Sequence, residues 1–233
     1  MGTEKCDEAD LGIVRQQDMT LIMRIATFQR LGLRAKALVP REVLLGLVSV
    51  RMSPIAFHLD YYVFPPVILS CLYLSSRQMS GPVIFAGYIA GLVGWTLAEY
   101  LLHRFVLHRW PYFSDFHKAH HDEPRAMIGA PAVFSMLIFT LSIFLPVFFL
   151  SSAGSAFAVF AGFLSGYLAF AAVHEAVHHS ESQRLPLRHF KKLHAIHHHG
   201  DTSKNFGVLT GFWDQVFGTY EDKVIRSSRK RGL

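Results

Sequence analysis

The stretch GSAFAVFAGFLSGYLAFAAV at residues 154–173, followed directly by HEAVHH at 174–179, decides the fold of this chain. The run of about 20 residues carries no charged side chain, and a helix of that length crosses about 30 Å of hydrocarbon. Gly162 and Gly166 stand four residues apart, a spacing that lets membrane helices approach closely. The stretch therefore predicts a membrane-spanning helix that leads into a set of histidines.

Three further apolar runs precede it, and together the four runs predict a membrane bundle. The earlier runs cover about residues 54–74, 82–102 and 131–150. Pro65-Pro66 is expected to kink or break the first run, because proline lacks the N–H that a helix interior needs. Hydrophobic residues make up 51% of the chain and charged residues 17%, a balance that is rare in soluble domains. We therefore expect an all-α, four-helix transmembrane bundle.

The basic residues predict which side of the membrane each loop faces. Of the 23 Lys and Arg, only Arg77 falls in the short loops after the first and third runs. By the positive-inside rule, the opposite side, with both termini and segment 103–130, is cytoplasmic. The net charge of +6 follows this topology and does not indicate nucleic-acid binding. We expect a multi-pass protein of a bacterial plasma membrane or of the endoplasmic reticulum.

The predicted organisation is one membrane domain with two flanking segments. Residues 1–53 are expected to form a cytoplasmic or interfacial segment, in which 19–33 is either an amphipathic surface helix or part of a disordered tail. Residues 54–221 are expected to form the membrane domain, and 222–233 a basic C-terminal tail.

Histidine is the most unusual feature of the composition, because 14 are present and all but His58 follow the second apolar run. Four clusters have the patterns HxxxxH, HxxHH, HxxxHH and HxxHH, and they begin at His103, His117, His174 and His194. Spacings of three and four place side chains on one face of a helix. Neutral imidazole binds zinc, copper, iron and nickel, and one ion takes about four to six ligands. The clusters therefore predict a dinuclear site in a helical, histidine-rich cytoplasmic cap.

A metal transporter or a metal-binding membrane protein is the alternative outside the enzymes. A transport pathway needs ionisable residues near the middle of the apolar runs, and the second, third and fourth runs have none there. Four clusters with separate helical spacings also differ from a single low-complexity metal-binding tract. The pattern favours a site at the membrane surface.

The histidine clusters and their flanks resemble the fatty acid hydroxylase superfamily, which includes fatty acid 2-hydroxylases, sterol desaturases and oxidases, and carotenoid hydroxylases. The resemblance covers about residues 82–221 and includes a closing segment, Asn205-Phe206-Gly207 with FWDQVFGT at 212–219. WTLAEYLLHRF at 95–105 and HEAVHH at 174–179 are most like the fatty acid 2-hydroxylases. HKAHHDEPR at 117–125 is equally similar to carotenoid hydroxylases.

The resemblance implies ten metal ligands and a set of residues that hold them in place. The implied ligands are His103, His108, His117, His120, His121, His174, His178, His194, His197 and His198. Metal-bound histidines donate their second ring N–H to a carboxylate or a carbonyl. Each of four acids is expected either to support a ligand or to be a solvated acid: Glu99, Asp122, Glu175 and Asp214. His179 and His199 are expected either to support the ligands or to lie at the surface. His58 and His189 are expected to be non-ligands.

The resemblance also implies an oxidoreductase, an O₂-dependent di-iron monooxygenase that hydroxylates an aliphatic C–H bond of a lipid acyl chain. Its cofactors would be two iron ions, which zinc can replace in purified protein, with O₂ as co-substrate. The alternative on the same site is a carotenoid or sterol hydroxylase or desaturase. The first 80 residues have no room for a fused electron-donor domain, so a separate ferredoxin or cytochrome b5-type donor is expected.

A basic surface is predicted to receive that donor, if the donor is acidic, and it is equally suited to anionic lipid. Its residues are Arg184, Arg188, Lys191, Lys192, Arg229, Lys230 and Arg231.

Overall fold

Four apolar helices form the body of the molecule. A computed structural model describes residues 51–222, which fold into helices and connecting loops, with no strand in that range. Four spans are long and apolar enough to cross a membrane: Pro54–Ser76, Gly81–Leu107, Ala132–Leu150 and Ala153–His179. The predicted all-α architecture with four membrane helices is confirmed. The segment expected at 19–33 and the basic tail from residue 223 onward lie outside the described residues.

The helices are numbered here in chain order, and two short π-helical stretches interrupt them. The first span contains α1 (Pro54–Phe57) and α2 (Asp60–Ser76), and the second contains α3 (Gly81–Leu101) and π1 (Leu102–Leu107). After α4 (Pro111–Asp122), the third span contains α5 (Ala132–Phe139), π2 (Thr140–Phe144) and α6 (Leu145–Leu150). The fourth span is α7 (Ala153–His179), which is followed by α8 (Leu187–His199) and α9 (Phe212–Val216).

Pro65 and Pro66 lie inside α2 and do not end it. A break at this pair is therefore the wrong expectation, and the helix is interrupted earlier, between α1 and α2. A proline removes only the hydrogen bond that its own N–H would donate, and membrane helices tolerate this loss because other groups satisfy the freed carbonyls.

The second and fourth spans both continue beyond their predicted ends. The second runs to Leu107, where the apolar run predicts an end near residue 102, and the fourth runs to His179 rather than residue 173. Hydropathy falls at the first histidine of each cluster, but backbone hydrogen bonding continues. These extensions place two of the histidine clusters on the bundle's own helices.

Helix α7 is the most enclosed of the four spans and packs against α2 and α3. Glycines make the contact with α3 close: a Cβ atom at Gly91 would overlap the Val159 carbonyl oxygen, and one at Gly162 would overlap the Tyr88 carbonyl oxygen. Lipid tails are as apolar as the side chains of membrane helices, so the hydrophobic effect does not drive these helices together. Close packing of their backbones is therefore a main source of their association. The α3–α7 pair therefore fixes the two helices whose ends carry histidines.

An aromatic cluster fills the bundle interior on the side of those helix ends. The Trp95 ring lies 5.1–5.6 Å, between ring centroids, from the rings of Phe139, Phe163, Tyr167 and Phe170. Phe170 in turn stacks on His174 at 5.4 Å, with the ring planes 11° apart. The first histidine of the α7 cluster therefore rests directly on the aromatic core.

Candidate metal centre

His103 and His108 are five residues apart, and the π1 stretch makes that spacing usable. In an α-helix with about 3.6 residues per turn, residues five apart point about 140° away from each other. Here the His108 N–H donates to the His103 carbonyl at 3.2 Å, which is the i→i+5 bond of a π-helix. The wider turn brings the two imidazole centroids to 5.1 Å. Both rings can therefore face one pocket.

The ten histidines implied as ligands come together as two groups of five. Within each group, one ring nitrogen from every residue lies within 4.8 Å of the corresponding atoms of the others. The first group contains His103, His108, His117, His121 and His197, and the second contains His120, His174, His178, His194 and His198.

Helices α4 and α8 each contribute histidines to both groups. Helix α4 gives two to the first group and one to the second, and α8 gives one to the first and two to the second. On α4, His117 and His121 enter the first group, whereas His120 between them enters the second. Helix α8 reverses the assignment, because only the middle histidine of its motif, His197, enters the first group. Each group is completed by the pair from one membrane span. The HxxHH motif therefore serves two pockets, not the single clamp that its spacing suggests.

The two groups are direct neighbours. The rings of His121 and His198, one from each group, stack with their centroids 4.0 Å apart and their planes 8° apart. His117 and His120 also lie within 5.6 Å of each other across the boundary. Two ions held by these groups would therefore share one compact site.

The spacing of the ring nitrogens fits metal coordination. In the first group the Nε2 atoms of His103 and His117 are 2.9 Å apart, and those of His117 and His121 are 3.0 Å apart. In the second group the Nε2 atoms of His178 and His194 are 2.9 Å apart. Ligands about 2.1 Å from an ion and at right angles to each other are separated by about 3.0 Å. The side chains already have the separation of adjacent ligands.

Unsatisfied nitrogens point to the same conclusion. Among the described residues, His120 Nε2, His194 Nδ1 and both ring nitrogens of His198 are buried without a hydrogen-bond partner. Native proteins rarely leave buried polar atoms unpaired, and binding of an ion is one explanation for such an atom. The donor set is all imidazole, which suits iron, zinc and copper. The residues present therefore fit a pair of transition-metal ions.

Some of the site imidazoles lie outside the membrane spans, and burial keeps these in the neutral form, which is the form that binds metal. It lowers the pKa of His108 to about 4, with a further contribution from His121. It lowers the pKa of His120 to about 3, helped by His178 and His121. It also lowers the pKa of His197 to about 3, against the opposing effect of a hydrogen bond to the Lys204 carbonyl. These rings are neutral at pH 7, and only neutral imidazole can ligate.

Two backbone carbonyls bind the outward-facing nitrogens of two rings in the first group. The Nδ1 atom of His103 donates to the Phe206 carbonyl at 2.5 Å, and Nδ1 of His197 donates to the Lys204 carbonyl at 2.7 Å. A proton on Nδ1 leaves Nε2 free with its lone pair directed into the group. The segment 204–206 therefore sets the tautomer and the angle of two first-group rings.

A model of the family described as "Fatty acid hydroxylase" matches residues 88–219, a range that holds all ten histidines and the closing segment. The chain belongs to the fatty acid hydroxylase family. The predicted family membership is thus confirmed, and with it the classification as an oxidoreductase of hydroxylase type.

Individual hydroxylases show the same similarity. The chain is 30% identical over 168 residues to the dihydroceramide fatty acyl 2-hydroxylase FAH2 of Arabidopsis thaliana, covering 67% of this chain and 70% of that protein. It is 33% identical over 174 residues to the ceramide very long chain fatty acid hydroxylase SCS7 of Saccharomyces cerevisiae, covering 66% of this chain and 43% of that one. A solved structure titled full-length scs7p, with only the hydroxylase domain visible, superposes with a TM-score of 0.65 at 30% identity, covering 71% of this chain and 67% of that chain.

In this hydroxylase-family chain, two buried carboxylates hold the segment that carries the Lys204 and Phe206 carbonyls. Asp214 accepts hydrogen bonds from the backbone N–H groups of Phe206 and Gly207, each at 2.8 Å, and from the Thr219 hydroxyl at 2.7 Å. Glu99 accepts from the N–H groups of Val208 and Leu209 at 2.5 and 3.2 Å. Both acids therefore act on the rings of the first group through the backbone.

Asn205 shapes the same segment with a left-handed backbone conformation, at φ 54°. Its side chain donates to the Glu221 carbonyl at 2.7 Å and accepts from the Glu221 N–H at 2.9 Å. Asparagine tolerates this backbone region better than most residues do. The Asn205-Phe206-Gly207 motif marks the segment in the sequence, but a carbonyl that orients a ring leaves no trace in residue type.

The four candidate acids are placed in two ways: Glu99 and Asp214 bind the backbone of the closing segment, whereas Glu175 and Asp122 lie elsewhere. Within residues 51–222, none of the four hydrogen-bonds a ring nitrogen of either group. Glu175 instead contacts His58 Nε2 at 3.0 Å and accepts from the Tyr61 hydroxyl at 2.9 Å. Asp122 is exposed. Glu175 directly follows His174 on α7, and consecutive residues of a helix point to different faces. Its position next to His174 in the sequence therefore does not bring it to the rings of the second group.

The histidines adjacent to the ligands lie outside both groups. His179 and His199 are exposed at the ends of α7 and α8. His189 is exposed as well, and His58 pairs with Glu175. The structure thus separates the ten implied ligands from the four other histidines of the chain.

Proposed function

We propose that this chain is an integral-membrane oxygenase that hydroxylates an aliphatic C–H bond of a lipid acyl chain, with two iron ions, O₂ and electrons from a separate donor. The observation that carries the proposal is the pair of adjacent five-histidine groups at the ends of membrane helices. Relatives named as fatty acyl 2-hydroxylases and ceramide fatty acid hydroxylases support an acyl chain as the substrate.

The ten histidines in the two groups would hold the irons, one ion in each group. Bound iron would supply the reduction of O₂ and the oxidation of the C–H bond, chemistry that needs a redox-active ion and that zinc does not provide. The first group is fixed from three directions by π1, α4 and α8, and the second by α4, α7 and α8.

The protein's own contribution is orientation and the exclusion of water. Lys204 and Phe206 carbonyls hold two rings at fixed angles, so the ligand set is arranged before an ion arrives. Phe170 and Phe206 cover the rings of His174 and His103 on their apolar sides. A dry, rigid environment lets a reactive centre act on the substrate instead of reacting with solvent.

The position of the groups suits a lipid. They lie where α7 and π1 end, beside spans whose outer faces expose large apolar side chains such as Leu69, Phe85 and Phe149. An acyl chain could approach from the bilayer while its polar head stays in water. We further propose that this end of the bundle and both termini face the cytoplasm. Residues 54–221 would form the membrane hydroxylase domain.

The electron donor is proposed to be a separate ferredoxin or cytochrome b5-type protein. Arg184, Arg188 and Lys192 are exposed on the loop and helix that lead to the α8 histidines. An acidic donor would be attracted to this surface, which adjoins the helix that carries His194, His197 and His198. The Nζ atom of Lys191 is already bound to the carbonyls of Ser180 and Ser182 and is less available.

A carotenoid or sterol-type oxidation on the same site is the second candidate. The stretch at 117–125 supports it by sequence, but its acids lie away from the two groups: Asp122 is exposed, and Glu123 forms a 2.5 Å ion pair with Arg51. The two acids of this stretch therefore do not contact the two groups, whereas its three histidines belong to them and would serve either candidate.

A comparison of lipids tests the proposed function. Lipids from cells that express the chain under heavy-isotope O₂ should contain acyl chains with one added, labelled oxygen atom, as read by mass spectrometry. Cells that express His120→Ala should lack this product, because the variant removes a ligand of the second group. A labelled isoprenoid ring in place of a labelled acyl chain would select the second candidate. Product that persists in the variant, or that carries no label, would refute both.

A further inference from the structure

Four side chains next to the second group are buried or half-buried, and metal binding does not explain their arrangement: Asp60, Trp95, Tyr167 and Phe170. Asp60 of α2 is 8% exposed, although it lies in a membrane span, and it accepts a hydrogen bond from the Tyr167 hydroxyl of α7. Its other carboxylate oxygen, Oδ1, is buried and has no hydrogen-bond partner among the described residues. An ionisable group at such a position is costly and is by default a sign of function.

The Tyr167–Asp60 pair is joined to the second group by aromatic rings in contact. His174 stacks on Phe170 at 5.4 Å, Phe170 lies 5.6 Å from Trp95, and Trp95 lies 5.1 Å from Tyr167. Tyr167, Phe170 and His174 occur at spacings of three and four, so they follow one face of α7. Trp and Tyr are the side chains that lose an electron most readily.

We propose that Trp95 and Tyr167 form a relay that delivers one electron to the metal centre when it is oxidised in the absence of substrate. This inference rests on the proposed function, which supplies the O₂-derived oxidant. One electron passes from Tyr167 through Trp95 and the Phe170 contact to the centre, which is reduced by one electron. The phenol O–H bond of Tyr167 breaks, its proton forms an O–H bond on the Asp60 carboxylate, and a neutral tyrosyl radical remains. The external donor later returns an electron, and the proton goes back to Tyr167.

The hydrogen bonds decide where the oxidation comes to rest. Trp95 Nε1 is buried and has no hydrogen-bond partner in the described part of the chain, so an oxidised Trp95 has no base to take its proton. Tyr167 has one, because its hydroxyl already donates to Asp60. The relay therefore ends on Tyr167.

The benefit of the relay is protection of the ligand rings. An oxidant that forms without a bound lipid would otherwise attack nearby side chains, among them the imidazoles, Phe170 and Phe206. The contacts are close-packed, as electron transfer between rings requires, and they lie on the bundle side of the centre, away from the exposed ends of α7 and α8.

Electron paramagnetic resonance of the whole, iron-loaded protein tests the relay. Reduced protein without lipid is exposed to O₂ and frozen, and we expect an organic radical whose line shape changes when the protein is made with ring-deuterated tyrosine. The signal should be lost in Tyr167→Phe and reduced several-fold in Asp60→Asn. Tyr88→Phe is the matched control, because Tyr88 packs against the same core from α3 and should leave the signal unchanged. Mass spectrometry should show several-fold more oxidation of the ligand histidines in Tyr167→Phe than in the control.

Several outcomes would overturn the relay, and they are separable from failure of the proposed function. A radical that ignores tyrosine deuteration, which requires no variant, or one that persists in Tyr167→Phe, would refute it. So would the absence of any organic radical in protein that consumes O₂ and hydroxylates lipid, and in that case the proposed function would stand. Protein that consumes no O₂ with lipid and reductant present would refute the function and the relay together.

Discussion

Replacing His197 with alanine is expected to lower hydroxylated-lipid formation by more than about 100-fold, because even residues that only orient a ligand are worth about 10–100-fold in metal affinity or activity. His197 is fully buried, lies in the first group and is the one histidine that α8 contributes to it. Its loss should empty the first group while the second, with all five histidines, still holds an ion. Product is measured by lipid mass spectrometry and iron by elemental analysis of the purified variant.

His199→Ala is the matched control for this prediction, because it changes the same residue type on the same helix, two positions away. His199 is exposed and lies outside both groups, so product and iron content should equal those of the unchanged chain. Equal losses in the two variants would mean that α8 acts as a general histidine-rich surface, and the assignment of His197 would then be wrong.

Replacing Asp214 with alanine is expected to destabilise the closing segment and to release metal, although Asp214 touches no ligand. The change leaves the N–H groups of Phe206 and Gly207 and the Thr219 hydroxyl without their acceptor in a fully buried place. Each unpaired buried donor costs about 1–3 kcal/mol, so the loss of one acceptor for three donors is expected to cost at least about 3 kcal/mol. Thermal unfolding in detergent should show a clearly lower Tm, with weaker iron retention.

Asp122→Ala separates this effect from a general loss of negative charge. Asp122 is exposed at the end of α4 and directly follows His121. Its removal should change the free energy of unfolding by no more than about 0.5 kcal/mol, and Tm should therefore stay almost the same. An Asp214→Ala protein with unchanged Tm and unchanged iron content would show that the segment 204–208 is held by other contacts.

Much of this architecture is legible in the residues, because both signals are periodic. The length of the apolar runs and the i, i+3 and i+4 spacing of most of the histidines follow from helix geometry, and they predicted four spans and a dinuclear site. The list of ten histidines came from the resemblance to the family, and the structure gathers those ten in one place. The exchange of His120 and His197 between the groups was not predictable, since it depends on how α4 and α8 cross. That crossing is set by tertiary packing and not by spacing within either motif.

Two other features have no counterpart in residue type. The π1 bond between His108 and His103 is a property of the backbone, and an α-helical projection of HxxxxH places the two rings on different faces. The carbonyls of Lys204 and Phe206 orient ligand rings, but every residue carries a carbonyl. Pro65 and Pro66 are a case in which a residue-level signal did not have its expected result. A proline pair usually breaks a helix in soluble proteins, but the membrane helix α2 continues through this one.

The most direct test of the central claim is the number of ferrous ions that the purified, full-length chain binds under anaerobic conditions. Titration to saturation, followed by removal of free iron and elemental analysis, should give two ions per chain, with X-ray absorption showing a shell of nitrogen neighbours and no sulfur. A saturation value of one ion per chain, or of none, would contradict a dinuclear centre built from the two five-histidine groups.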